Sequence, residues 1–187
     1  MAVLGEPRNV FAGHNAWQSV EDEMGVALPY DYKHLVDAYG PVQLNGHLYL
    51  EHPANTFYPL GKWISDTIDT LRDIEQDREI SGARHLGPVF GRKYDLIPLT
   101  HTDRGEYAFL DLAIDGGQTR ILTCDRDETD LHEHRMMFSE WLYRYLEGQE
   151  MFSPGHSDYY PGPLLLESLP TGMNDIHSEW YGPDRGN

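Results

Sequence analysis

Apolar positions recur at helical spacing near the start of the chain and at strand spacing in its middle. Trp17, Val20 and Met24 form one stripe against polar Gln18, Glu21 and Asp22, which predicts a helix that begins after Asn15 and ends at Gly25. A second helix follows: Pro29 suits its first turn, Tyr32, Leu35, Val36 and Tyr39 share one face, and Gly40 stands where a C-terminal cap would. The run Gly46 to Leu50, set between turn signals, reads as a strand. From Lys62 to Glu79 the residues Ile64, Ile68, Leu71 and Ile74 make an apolar stripe. Asp66, Asp69, Asp73, Glu75, Asp77 and Glu79 stay off it, so the pattern predicts a third helix with an acidic outer face.

Tyr94 to Leu99, Glu106 to Ile114 and Thr119 to Cys124 read as three successive strands joined by short turns at Asp103-Arg104-Gly105 and Asp115-Gly116-Gly117. In the middle run Ala108, Leu110, Leu112 and Ile114 share one face and Tyr107 and Phe109 the other, as in a strand covered on both sides. Phe138, Trp141, Leu142, Tyr145 and Leu146 then define a closing helix stopped by Gly148. This order predicts an α+β domain over residues 14–148, with helices packed on a mainly antiparallel sheet of about four to six strands. Beyond Gly148, prolines and glycines interrupt every period. Residues 149–187 read as a partly ordered extension, docked through Leu164, Leu165, Leu166 and Leu169 and through Trp180 and Tyr181.

Length and charge narrow the function. The 187 residues fit one domain, and 40% hydrophobic content with 12 Tyr and 4 Trp is enough apolar surface for a packed core. Acidic residues outnumber basic ones 31 to 14, a formal charge of -17. Such a surface repels phosphate backbones and anionic membranes and attracts a basic partner. The single cysteine, Cys124, has no partner for an internal disulfide, and the opening residues lack the basic and apolar regions of a signal peptide, so a cytoplasmic location is expected.

No catalytic motif stands out. His132 and His134 flank Glu133, and His101 lies near Asp103, but on a helix residues i and i+2 point to different sides. Neither H-E-x-x-H nor paired C-x-x-C is present. Cys124 ends a strand, where a packed thiol is usual. The residues around Ser157 do not form the G-x-S-x-G elbow, and Gly61-Lys62 lacks the rest of a phosphate loop. Carboxylate pairs such as Asp127 with Glu128 or Asp103 with Glu106 arise by chance in so acidic a chain. The expectation is a protein with no metal, no cofactor and no enzymatic activity.

The segment from Trp17 to Gly40, with Glu21, Met24-Gly25, Leu28-Pro29, Asp31-Tyr32, Leu35 and Tyr39-Gly40, resembles the opening signature of the SUKH superfamily, the cell-wall assembly regulator type of domain. Leu96-Ile97-Pro98-Leu99, the turn and strand from Asp103 to Asp111, and the helix Phe138 to Leu142 extend the resemblance. Pro41-Val42 departs from it where a glycine is often found after the Tyr-Gly pair. The resemblance implies an α+β domain and, for bacterial members, an immunity protein that binds and neutralises a cognate toxin, often a nuclease. A regulatory or scaffold role with the same fold is the alternative. The shared motif positions read as scaffold, and an acidic surface would steer towards a basic toxin cleft. Candidate partner contacts are the turn residues Asp103 and Glu106 and the run Asp125, Asp127, Glu128, Asp130 and Glu133.

Overall fold

The computed structural model describes residues 2–11, 15–81 (backbone alone for 78–81), 95–112, 119–124, 131–153 and 162–185. Four helices, α1 (Ala16–Met24), α2 (Tyr30–Tyr39), α3 (Leu60–Ser81) and α4 (Phe138–Leu146), accompany eight strands. The strands are β1 (Val42–Leu44), β2 (Leu48–Leu50), β3 (Leu96–Thr102), β4 (Tyr107–Asp111), β5 (Arg120–Cys124), β6 (Leu131–His134), β7 (Leu165–Ser168) and β8 (Glu179–Tyr181). All belong to one sheet of order β6-β5-β4-β3-β2-β1-β7-β8, antiparallel at every pairing. The first six form a continuous meander. The chain then returns to the free edge of β1, where β7 and β8 add a further hairpin.

The α+β class is the one expected, but eight strands exceed four to six. The excess has physical causes. β1 and β8 are three residues long, too short to show alternation. β6 is Leu-His-Glu-His, whose polar residues disguise it, and β7 sits inside a run of leucines bounded by prolines. β4 stops at Asp111, short of the Ile114 expected; Leu112 is 37% exposed, and Ile114 falls outside the described residues. Within β4, Ala108, Phe109 and Leu110 are all buried, as a strand covered on both faces requires.

The core is one apolar cluster that includes Leu44, Leu48 and Leu50 from the sheet and residues of all four helices. Tyr32 is fully buried and its hydroxyl donates to the Leu99 carbonyl at 2.9 Å, tying α2 to β3 beside the register shift between Pro98 and Thr100. α4 enters through Phe138, edge-on to Tyr32 at 5.0 Å, and through Trp141, stacked on Phe138 and Tyr145 and met edge-on by Phe152. α3 begins against α1: a Cβ on Gly61 would lie 3.1 Å from Val20 Cγ2. It also lays Trp63 on His101 of β3, with ring centroids 4.9 Å apart. Leu164 and Leu166 are fully buried, so the terminal hairpin contributes to the same core.

Candidate partner-binding surface

Asp103 and Glu106 lie in the β3–β4 turn, where Gly105 adopts φ +85. Beside it runs the β1–β2 turn, in which Asn45 and Gly46 both take positive φ and deliver His47 to the same end of the sheet. The Asp103 backbone N–H donates to the His47 carbonyl at 3.0 Å. His47 is buried, with Nδ1 bonded to the Asp103 carboxylate and Nε2 3.6 Å from Glu106 Oε2. The Thr102 hydroxyl donates to Glu106 Oε2 at 2.8 Å. Glu106 is only 6% exposed. Burial by itself would raise its carboxyl, but His47, Thr102 and Arg104 together outweigh that and hold it below the usual carboxylate range. Glu106 therefore joins two turns from within, while Asp103, whose side chain is 47% exposed, meets both His47 and solvent.

Glu133 is exposed on β6 and accepts hydrogen bonds from Arg120 at 2.9 Å and Arg135 at 2.6 Å. The Arg135 contact, with help from Arg120, lowers its carboxyl pKa. Arg120 also pairs with buried Asp111, so this corner of the sheet balances acid with base. Asp125, Asp127, Glu128 and Asp130 lie outside the described residues.

The structure corrects one step of the chemical reading. His132 and His134 lie on a strand, not a helix, so i and i+2 share a face and Glu133 takes the other. His134 Nε2 is engaged by the Thr123 hydroxyl at 3.1 Å. Neither histidine belongs to a group of three possible metal ligands among the described residues.

A different acidic array is more open. Asp66, Asp69, Asp73 and Asp77 are all exposed on α3, and their spacing of three, four and four residues places them in one row along the helix. The row spans about 16 Å at the rise of an α-helix. Lys62 pairs with Asp66 at 2.5 Å, with both side chains more than half exposed, where such a pair adds little. The acidic outer face of α3 was legible from its pattern; the buried position of Glu106 was not, because it depends on His47 arriving from another turn.

A scan against protein-family models matches the SMI1 / KNR4 family (SUKH-1) over residues 12–144. The chain belongs to the SMI1/KNR4 family (SUKH-1). No curated protein and no solved structure matches it.

The SUKH-1 signature residues have structural tasks here. Trp17 Nε1 donates to Asp37 Oδ1 at 2.8 Å, and Glu21 Oε1 accepts from the Leu28 backbone and from Lys33, fixing the α1–α2 link. Tyr39 donates to the Gly5 carbonyl at 2.8 Å. Gly40 has an ordinary extended backbone; its requirement is space, since a Cβ would sit 2.9 Å from the Val36 carbonyl oxygen. Asp31 accepts from the Ser139 backbone N–H at 2.8 Å and so caps α4 from α2, because Met137 at the α4 N-cap offers no side-chain bond. Asp31→Ala should therefore lower stability by about 1–2 kcal/mol, measured by urea unfolding, with Asp31→Asn retaining most of the cap.

Proposed function

We propose that this SUKH-1 protein is an immunity-type module that binds and neutralises a cognate toxin, of nuclease type, through an acidic surface. Family membership supports the coarser statement, an immunity or regulatory module. The observation that carries the finer one is the row of four exposed aspartates on α3 in a chain of charge -17. Parallel negative charges on a rigid helix match the phosphate-binding cleft of a nucleic-acid-cutting enzyme, where cationic side chains must gather. Occluding such a cleft requires shape and charge and no reacting group. No helix among the described residues is long and apolar enough to cross a membrane.

The exposed residues Asp103 and Glu133 extend the proposed contact surface beyond α3. Asp125, Asp127, Glu128 and Asp130 belong to the same proposal by charge alone. Glu106 supports it indirectly, by fixing the turn that presents Asp103.

The test takes the product of the adjacent gene and asks whether it carries a toxin domain that this protein binds. The affinity of that domain for the protein should fall at least ten-fold between about 50 and 300 mM salt. Converting Asp66, Asp69, Asp73 and Asp77 together to asparagine should remove most of that salt dependence while leaving the unfolding midpoint near wild type. Binding that ignores both salt and the four substitutions would overturn the electrostatic reading. A neighbouring gene that encodes no toxin, with a cellular protein bound instead, would favour the regulatory role.

A further inference from the structure

Outside the family-matched residues, the β7–β8 hairpin brings together three side chains that the toxin reading does not use. The register sets Glu167 directly opposite Glu179 on one face of the sheet. Like charges placed opposite each other across two strands repel, so something must offset the pair. His177, two residues before Glu179, supplies a nitrogen: Nε2 lies 3.1 Å from Glu179 Oε1 and 3.6 Å from Glu167 Oε1. One ligand atom from each residue falls within 4.8 Å of the other two, and among the described residues this is the group of three that meets such a condition.

We propose that Glu167, His177 and Glu179 bind a divalent cation of the zinc class and that the cation clips the terminal hairpin to itself. A tetrahedral ion with bonds of about 2.0–2.1 Å holds its ligands about 3.3 Å apart. The two histidine separations straddle that value, so a small closure of side chains completes three ligands. Two carboxylates and one imidazole leave a fourth position for water, because His177 and Glu179 are about half exposed while Glu167 is largely covered at 19%. The imidazole selects against magnesium, which demands six oxygens in octahedral array. Two negative ligands facing one double positive charge convert a repulsive cross-strand pair into an attractive one. The loop between β7 and β8 is then closed at its base by the ion as well as by backbone pairing.

Titration calorimetry of the full chain with zinc chloride tests this, alongside thermal melting. The expected result is one zinc per chain with micromolar affinity and a melting temperature raised by several degrees at saturation. His177→Ala, Glu167→Gln and Glu179→Gln should each weaken zinc binding at least ten-fold, and His34→Ala, at an exposed histidine on α2, should not. Magnesium at the same concentration should leave the melting temperature unchanged. Zinc binding that is undiminished in His177→Ala, a magnesium effect equal to that of zinc, or no zinc binding to the wild type would each overturn the site. None of these outcomes depends on whether a toxin is bound.

Discussion

Trp141→Ala is expected to remove about 3–5 kcal/mol of stability, a large part of what a domain of this size possesses. The indole is completely buried, stacked on Phe138 and Tyr145 at centroid distances of 5.7 Å and met edge-on by Phe152 at 5.2 Å. These rings lock α4 to α2, through Phe138 and Tyr32, and to the segment that follows α4, through Phe152. Truncation to alanine leaves a cavity that three rigid aromatic neighbours cannot collapse to fill. The Trp141 Nε1–H has no hydrogen-bond partner among the described residues. Trp141→Phe therefore loses packing but also removes a buried donor, and should cost much less, about 1 kcal/mol. Urea unfolding of the two variants checks the pair: equal losses would show that the indole's volume is not what holds α4.

The second large effect is hidden in the wild type because two desolvated groups, buried Glu51 and half-buried His101, oppose each other. His101 lies between Tyr49 and Trp63, with ring centroids 4.6 and 4.9 Å away, and burial lowers its pKa from 6.5 to about 4. Glu51, 8% exposed and with Oε2 lacking a hydrogen-bond partner among the described residues, is raised by burial from 4.5 to about 7. Between pH 4 and 6.5 the unfolded chain protonates His101 and the folded chain does not, so this group makes stability fall as pH falls. Between pH 4.5 and 7 the unfolded chain ionises Glu51 and the folded chain keeps its proton, so this group makes stability fall as pH rises. Each contribution is worth ~3 kcal/mol across its window, and over their shared range they cancel.

Glu51→Gln should therefore unmask a stability that climbs from pH 4 to 6.5, and His101→Phe one that declines from pH 4.5 to 7. Unfolding free energies of both variants, taken as differences from wild type at each pH, are the measurement. Parallel profiles for all three proteins would mean that neither group titrates differently on folding.

Much of the architecture could be read from the chain because it rests on local periodicity. α1, α2 and α4 follow from apolar residues at helical spacing, and α3 from a stripe long enough to define both a buried face and an acidic one. The opening signature was also legible as a family resemblance, since Trp17, Asp31, Tyr32 and Gly40 keep fixed spacings. Their tasks were not. Asp31 caps a helix more than a hundred positions away, and Gly40 needs room beside Leu50 of β2 as well as Val36 of its own helix.

The candidate surface divides in the same way. Composition by itself determined a strongly acidic, aromatic-rich chain, and periodicity predicted an acidic outer face on α3, of which Asp66, Asp69, Asp73 and Asp77 are exposed, Glu75 is half-buried and the Glu79 side chain lies outside the described residues. Only the tertiary structure decided which acids stand open to solvent and which are buried or paired. Glu106 is enclosed by His47 and Thr102, Glu133 is answered by two arginines, and Glu167 meets Glu179 only because β7 pairs with β8. The reason is that a side chain's charge is written in its residue, whereas its solvation and neighbours are set by strand pairing between segments far apart in sequence.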